Sequence, residues 1–278
     1  VKTFGHVPED THRQHLEMES RLRDAEANGE LSVHYQPQID IASGDVVAVE
    51  ALVRWQHPVL GMLSPAFFIP LAEETGLIIS IGEWVLRQAC TDVAAWRRTT
   101  GRPLRLAVNL SALQWMQPNL AAMIQAACRD AGLEPGVLDL ETPEGVLANP
   151  TDELAAAAEA LHRIGCRIVI DGAGVARAEF DYAAGLTVDA IKIDHSFIRN
   201  IGSDADDETV VTAILAAARH RHMRTIAEGV ETARQLDFLR ERGCEAAQGY
   251  LFCRPLPAAT LARRLVKPGA VSMRGSDA

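Results

Sequence analysis

VVAVEALVRW, which runs from Val46 to Trp55, is the stretch that decides the fold. In an extended strand, successive side chains point to opposite faces. One face of this strand would be wholly apolar, whereas the other would carry Glu50, Leu52 and Arg54. A buried charge is costly unless it has a partner. Two interpretations stay open: a half-exposed strand with a solvated polar face, or a strand whose acid and base face a site.

Length and composition favour one large soluble domain. The chain has 278 residues and a formal net charge of −10, which argues against a surface for a nucleic-acid polymer. A closed barrel of about 250 residues is a common solution at this size. The five cysteines are widely spaced without a CxxC pair, so we expect small core residues in a reducing cytoplasm. No apolar run reaches the ~20 residues of a membrane span.

The order of predicted elements indicates a barrel. Leu31–Ile41 and Val46–Trp55 are predicted strands joined by a turn so short that only an antiparallel pair is possible. Helical and strand patterns then alternate to the end of the chain. The further predicted strands are 105–111, 137–142, 167–171, 190–194, 223–228 and 246–252. The predicted helices are 64–74, 81–98, 120–131, 151–164, 177–184, 206–221, 232–242 and 257–265. We therefore predict a TIM-like (β/α)8 barrel with an antiparallel first strand.

Three segments are expected in the chain. Residues 1–30 form a lead-in helix or linker from an upstream domain, residues 31–266 form the barrel, and residues 267–278 form a polar tail. Because the chain begins with Val, we expect a piece of a longer protein, here its cytoplasmic part.

Polar side chains recur at the carboxyl ends of the predicted strands, which is the rim where barrel enzymes build their sites. Each one alone is readily explained as a solvated strand end. Together they should meet at one mouth: Glu50, Asn109, Glu141, Asp171 and Glu228, with Lys192 and Asp194 beside them. Four carboxylates would repel one another without a cation, and an all-oxygen ligand set suits Mg²⁺ or Mn²⁺.

Several motifs carry a family resemblance over residues 31–265. The stretch EALVRW at Glu50 resembles the signature of EAL domains, bacterial barrels that bind and hydrolyse cyclic di-GMP. Further motifs occur in the family's order: YQP at Tyr35, SPAFFIPLAEETG at Ser64, VNLS at Val108, KIDHSF at Lys192, AEGVE at Ala227, QGY at Gln248 and PLP at Pro255. Together these matches are highly specific.

The resemblance implies roles for individual residues. The residues that match the ligands of a first divalent metal are Glu50, Asn109, Glu141 and Asp171, and Asp171 would also bridge to a second metal. Glu228 matches the acid near the second metal and the attacking water, Lys192 the lysine that holds this water, and Glu231 a supporting acid. The positions that match ligand contacts are Gln36, Leu52, Arg54, Asp194 and Gln248. Arg54 suits a phosphate oxygen.

Two neighbouring segments depart from the family pattern. Where the family reads DDFGTG, this chain reads Asp171-Gly172-Ala173-Gly174-Val175-Ala176. Gly172 replaces the second Asp, so one ligand of the second metal has no oxygen to offer. The family's EITE appears as Glu141-Thr142-Pro143-Glu144, and Pro143 fixes φ and removes an N–H where the family has threonine. We therefore expect one intact cation site and an impaired second one.

These departures lead to three functional hypotheses. The first is a cyclic di-GMP-binding EAL domain with weak or absent hydrolysis that acts as a signalling receptor. The second is an active Mg²⁺- or Mn²⁺-dependent phosphodiesterase that releases pGpG. The third is a barrel that neither binds nor cleaves and serves for docking or dimerisation. The expected partners are cyclic di-GMP, an upstream sensory or GGDEF-type domain and a second copy of the chain.

Overall fold

The structure is a computed structural model that describes residues 9–147, 151–174 and 186–266. Its strands are β1 (Leu31–Asp40), β2 (Val46–His57), β3 (Gly61–Leu63), β4 (Arg105–Asn109), β5 (Leu138–Pro143), β6 (Arg167–Ala173), β7 (Ala190–Ile193), β8 (Arg224–Ala227), β9 (Ala246–Ala247) and β10 (Leu256–Pro257). Its α-helices are α1 (Glu9–Asp24), α2 (Pro65–Glu74), α3 (Ile78–Thr100), α4 (Ala112–Trp115), α5 (Leu120–Ala131), α6 (Glu144–Leu147), α7 (Asp152–Arg163), α8 (His195–Arg199), α9 (Ala205–His220), α10 (Ala233–Glu241) and α11 (Ala258–Val266).

The strands close into a ring in the order β1-β2-β4-β5-β6-β7-β8-β9, and β9 pairs with β1. From β2 to β9 each strand is parallel to the next, whereas β1 is antiparallel to both of its neighbours. A tight turn causes the antiparallel start: Gly44 N–H donates to Asp40 O at 2.8 Å and Ser43 N–H to Asp40 Oδ1 at 2.8 Å. The predicted barrel with its antiparallel first strand is confirmed.

Strand alternation divides the apolar residues into two groups. Side chains on the outer face, among them Val49, Trp55 and Leu106, join the large core beneath the helices. On the inner face, a separate small cluster lies in the bore: Val169, Ala190, Ile226 and Ala246. The inner face of β2 carries Ala48 and Glu50, and the Glu50 carboxylate faces the bore rather than solvent. The interpretation of β2 as a half-exposed strand is therefore wrong, because Glu50 is only 4% exposed.

The lead-in helix packs on the barrel. Leu22 and Ala25 are buried, and His15 Nε2 lies 3.5 Å from Glu74 Oε2 of α2. The five cysteines are free and buried, as expected for core residues. None of the helices in the described part of the chain combines the length and apolarity that crossing a membrane requires.

Most predicted elements are confirmed with small shifts at their ends, and the exceptions have local causes. The strand predicted over 246–252 ends at Ala247, because the chain then turns at Gly249 and pairs with a loop: Val230 N–H donates to Gln248 O at 3.0 Å and Leu251 N–H to Val230 O at 2.9 Å. Short elements that the patterns did not predict include α4, α6 and α8. The predicted helix over 177–184 and the tail over 267–278 lie outside the described residues.

Candidate functional site

Lys192 lies at the centre of the barrel mouth and is fully buried. Its Nζ lies 2.6 Å from Glu228 Oε1, 2.7 Å from Glu141 Oε2, 3.3 Å from Asp171 Oδ1 and 3.4 Å from Glu50 Oε2. These four carboxylates are called the acidic ring below. The convergence of these five side chains follows from barrel closure, because the ring brings the inner faces of β2, β5, β6 and β7 and the residue after β8 together.

Side-chain amides fix the orientation of the acidic ring. Asn109 Nδ2 donates to Glu50 Oε1 at 2.8 Å, and Gln248 Nε2 donates to Glu50 Oε2 at 2.6 Å. Gln248 Nε2 also lies 3.4 Å from Glu228 Oε1. Asn109 therefore belongs to the same cluster as the carboxylates, as the sequence predicted, and Gln248 joins them. Glu50 is held by two amides, so its carboxylate has little freedom to turn.

The acidic ring shifts the pKa values of its members. Burial raises the pKa of Glu228 to about 7, with Lys192 opposing the rise and Asp171 adding to it. Burial and the charge of Glu50 raise the pKa of Glu141. Burial alone would raise the pKa of Glu50, but Lys192 and the two amides lower it. Burial disfavours the Lys192 ammonium, yet the surrounding carboxylates raise its pKa well above the ordinary value. The surrounding carboxylates therefore stabilise the charged form of Lys192.

The donor set fits a hard divalent cation in its chemistry. One ammonium faces four carboxylates, so acid is in excess. Asp171 Oδ1 is buried, and no group in the described ranges donates a hydrogen bond to it, although Lys192 lies within ion-pair distance. The carboxylates point at Lys192, and no three His, Cys, Asp or Glu among residues 9–147, 151–174 and 186–266 are placed to hold one metal. To bind a cation, they would have to turn away from the ammonium.

A cavity of about 560 Å³ opens above the acidic ring. Glu50, Asn109, Asp171, Glu228 and Gln248 line its polar end. An apolar lobe extends from there between α2, α3 and α4, and its lining includes Pro65, Ile69, Pro70, Ile78, Ile81, Val85 and Leu110. The cavity therefore combines an acidic end with an apolar end, and such a mixture of apolar walls and a few convergent polar groups is typical of small-molecule sites.

The remaining predicted site residues lie at different distances from this cavity. Gln36 and Leu52 line it, and Gln36 Nε2 donates to Cys253 O at 3.1 Å. Arg54 and Asp194 are not part of the lining formed by the described residues. The Arg54 guanidinium donates to Val53 O at 2.8 Å, and Asp194 caps α8 by accepting from Ser196 N–H at 2.8 Å. Glu231 is exposed before α10, so its role as a supporting acid stays a prediction.

The segment after Asp171 departs from regular strand geometry. The pairing of β6 with β7 shifts register between Ile170 and Ala173, and Gly172 has φ of +72°. A Cβ on Gly172 would lie 3.9 Å from Asp194 Oδ2, so there is room for a side chain. The positive φ is nevertheless unfavourable for any residue other than glycine. Pro143 ends β5 opposite Asp171 and lines the cavity. The neighbouring positions Val175 and Ala176 lie outside the described residues.

Comparison with known families decides the identity of this barrel. A family model described as "EAL domain" matches residues 19–255. The chain belongs to the EAL domain family. This EAL domain is 42% identical over 248 residues to cyclic di-GMP phosphodiesterase NbdA of Pseudomonas aeruginosa, which covers 89% of this chain and 32% of NbdA. It is 39% identical over 249 residues to the bifunctional diguanylate cyclase/cyclic di-GMP phosphodiesterase MucR of the same organism, covering 90% of this chain and 36% of MucR.

A solved structure described as the MucR phosphodiesterase in complex with c-di-GMP has the same fold as this EAL domain. The TM-score is 0.84 at 39% sequence identity, and the match covers 88% of this chain and 99% of that one. The chain spans about a third of the length of the two curated relatives named above. The family resemblance seen in the sequence motifs is therefore confirmed.

Sequence reasoning missed one polar residue at the acidic ring. Gln38 is 2% exposed, and its Nε2 lies 3.4 Å from Glu141 Oε1. The signal was present, because Gln38 follows Gln36 by two residues and so shares its face of β1. The apolar lobe was also missed, since its walls come from three helices whose packing no short motif reveals.

Proposed function

We propose that this EAL domain binds cyclic di-GMP at the barrel mouth and hydrolyses it weakly or not at all, as a receptor module. The observation that carries the proposal is the acidic ring beside an apolar lobe in one cavity, of which Gln36, Leu52 and Gln248 form part. The names of the relatives support the choice of ligand, because NbdA and MucR are both named for cyclic di-GMP.

One Mg²⁺ or Mn²⁺ is proposed to bind Glu50, Asn109, Glu141 and Asp171. Such a cation stabilises the charge that develops on a phosphodiester under attack. Asn109 would present its amide oxygen, which requires its present hydrogen bond from Nδ2 to Glu50 to rearrange. Arg54 and Asp194 are proposed to contact ligand from the edge of the mouth, with Arg54 first leaving the carbonyl of Val53.

Glu228 and Lys192 are proposed to handle the attacking water. Lys192 Nζ lies 2.6 Å from Glu228 Oε1, so a water held by one is within reach of the other. Lys192 would donate a hydrogen bond to the oxygen of that water and Glu228 would accept one from its O–H, which leaves the second lone pair of the oxygen for attack. A carboxyl whose pKa is near 7 can accept a proton at neutral pH, and Glu228 meets this condition. Glu231 is proposed to support this pair.

Weak hydrolysis follows from Gly172. A second cation needs a carboxylate beside Asp171, and glycine supplies none. Losing the second metal of a two-metal site removes stabilisation worth several kcal/mol, and each ~1.4 kcal/mol is a factor of ten in rate. Ligand contacts at Gln36, Leu52 and Gln248 do not depend on this position, so binding should survive.

An active phosphodiesterase is the second candidate, favoured by the names of NbdA and MucR. In that case Glu228 and solvent would hold the second cation without help from position 172. The two candidates differ in turnover and not in binding. A docking barrel that binds no nucleotide is the remaining alternative from a different class.

The deciding experiment measures binding and turnover on one sample. Calorimetric titration with cyclic di-GMP in Ca²⁺ should show one site per chain, and a docking barrel would give no heat. Incubation with Mn²⁺ should release little pGpG, whereas robust release would establish the active phosphodiesterase. Gly172→Asp should raise turnover if the missing oxygen is the cause. Gly172→Ala is the matched control, because it introduces the same backbone strain at φ of +72° without an oxygen.

Domain boundaries, accompanying domains and dimerisation are also proposed. The barrel is proposed to begin at residue 31 and end at residue 266, as one module of a longer cytoplasmic protein with a sensory or GGDEF-type domain. Pairing of two copies is a further proposal. Analytical ultracentrifugation with and without cyclic di-GMP tests it, since a monomer under both conditions would contradict it.

A further inference from the structure

Apolar side chains, several of them alanines, line the bore of the barrel beneath the acidic ring. The strands that face inward there contribute Ala48, Val169, Ala190, Ile226 and Ala246, all of them buried. Ala48 pairs with Gln38 across the β1–β2 ladder, so Gln38 lies on the same inner face. Gln38 is therefore a long, buried polar side chain on a face that also carries these apolar residues.

Gln38 spans the bore. Its strand, β1, and the strand of Glu141, β5, are three steps apart around an eight-strand ring, so they lie on nearly opposite walls. The Gln38 amide reaches Glu141 Oε1, which lies 3.4 Å from Nε2, and the short side chains of Ala48, Ala190 and Ala246 leave space in the bore. The hydrogen bond therefore joins opposite sides of the barrel rather than neighbours in the sheet.

Glu141 is held at both of its oxygens. Lys192 Nζ contacts Oε2 at 2.7 Å from the rim side, and Gln38 contacts Oε1 from the layer of Ala48. The Glu141 side chain is fully buried, so water does not replace either donor. If the contact between Lys192 and Glu141 breaks when a cation binds, Gln38 still donates to Glu141 and keeps its carboxylate directed toward the mouth.

We propose that Gln38 is a positioning residue for the cation site, which holds Glu141 in the orientation that a divalent cation requires. This inference rests on the proposed function, because it assumes that Glu141 is a cation ligand. Partners that orient a metal ligand typically change metal affinity by 10–100-fold when they are removed. Gln38 touches neither cation nor nucleotide in this account and acts through Glu141.

The test compares Mn²⁺ affinity, measured by calorimetry on the full 278-residue chain, between wild type and Gln38→Met. Methionine keeps the length of the side chain and removes the amide donor. We expect Mn²⁺ binding at least tenfold weaker in Gln38→Met. Tyr35→Phe is the matched control: Tyr35 lies on the same strand, and the variant loses a partly buried hydrogen bond outside the bore, from Tyr35 Oη to Asp92 Oδ2 at 2.5 Å. Its Mn²⁺ affinity should stay within twofold of wild type.

A second measurement needs no variant. In the wild-type chain, the side-chain amide resonances of Gln38 should shift when Mg²⁺ is added, whereas those of Gln88, which bonds Asp92 on the outside of the barrel, should not. The positioning role alone is overturned if wild type and Gln38→Met bind Mn²⁺ with equal affinity, or if the Gln38 amide resonances do not shift when Mg²⁺ is added. A wild-type chain that binds neither cation overturns the cation site of the proposed function as well.

Discussion

Replacing Lys192 with methionine tests the electrostatic account of the mouth. The substitution keeps most of the side-chain volume and removes a fully buried ammonium that lies within 3.4 Å of four carboxylates. Removing one partner of a buried ion pair typically costs 3–5 kcal/mol, because the other charge is left uncompensated. The carboxylates limit that cost by taking up protons, and each pKa unit by which a carboxyl is raised corresponds to about 1.4 kcal/mol.

The loss should therefore depend on pH and on cations. At pH 8 we expect Lys192→Met to lower the free energy of unfolding by about 3–5 kcal/mol. At pH 5 the loss should be smaller, because the ring carboxylates are then protonated in the variant. Mg²⁺ should recover part of the loss at pH 8 by binding the folded state.

These free energies are measured by urea denaturation followed by far-UV circular dichroism, first in EDTA and then at Mg²⁺ concentrations that rise in tenfold steps. Arg87→Met is the matched control, since Arg87 pairs with Glu83 and Asp130 on the surface and should cost less than about 1 kcal/mol. A loss below about 1 kcal/mol for Lys192→Met at pH 8, or one independent of pH, would refute the reasoning.

Three further predictions concern single contacts. Thr142→Val should raise the free energy of unfolding by about 1 kcal/mol, because Thr142 Oγ1 is buried and finds no hydrogen-bond partner among the described residues; a loss in thermal or urea stability would contradict this. Gly82→Ala should destabilise by about 1 kcal/mol, because the new Cβ would lie 2.1 Å from Gln114 Nε2 and displace the side chain that completes the α4 capping box. In a Gln114→Ala background the cost should largely vanish, and an unchanged cost would exclude the contact as its cause. Glu228→Gln concerns pH: the folded pKa of about 7 exceeds the unfolded value, so in EDTA the wild-type stability should fall as pH rises from about 4.5 to 7. In Glu228→Gln the decrease in unfolding free energy with pH should be smaller by up to ~1.4 kcal/mol per pH unit. Urea titrations at several pH values measure this dependence. The same pH dependence in wild type and variant would contradict the raised pKa of Glu228.

Much of the barrel could be predicted because local sequence patterns indicate where most of its strands lie. The alternation around Glu50 identified the inner face of β2, and the short turn at Gly44 required an antiparallel neighbour. The last strand was predicted, but its end at Ala247 was not. Its end depends on a distant contact: a Cβ on Gly249 would lie 2.2 Å from Val230 O, so only glycine permits that close approach.

The acidic ring was predicted as a set, but its internal geometry was not. Strand ends determine that the carboxylates share a rim, whereas the distances depend on how the ring closes. Lys192 was expected beside the acids and instead lies at their centre, which follows from its length and from the small side chains beneath it. The contact of Gln38 with Glu141 crosses the bore, so no spacing along the sequence could indicate it.

The most direct test of the account is a paired measurement on one preparation: cyclic di-GMP binding in Ca²⁺ and pGpG release in Mn²⁺. The account predicts one bound nucleotide per chain and release at least a hundredfold slower than from an EAL domain with both aspartates, assayed alongside, since several kcal/mol of stabilisation are missing. Turnover equal to that reference would contradict the proposed effect of Gly172. Absence of binding would contradict the proposed ligand.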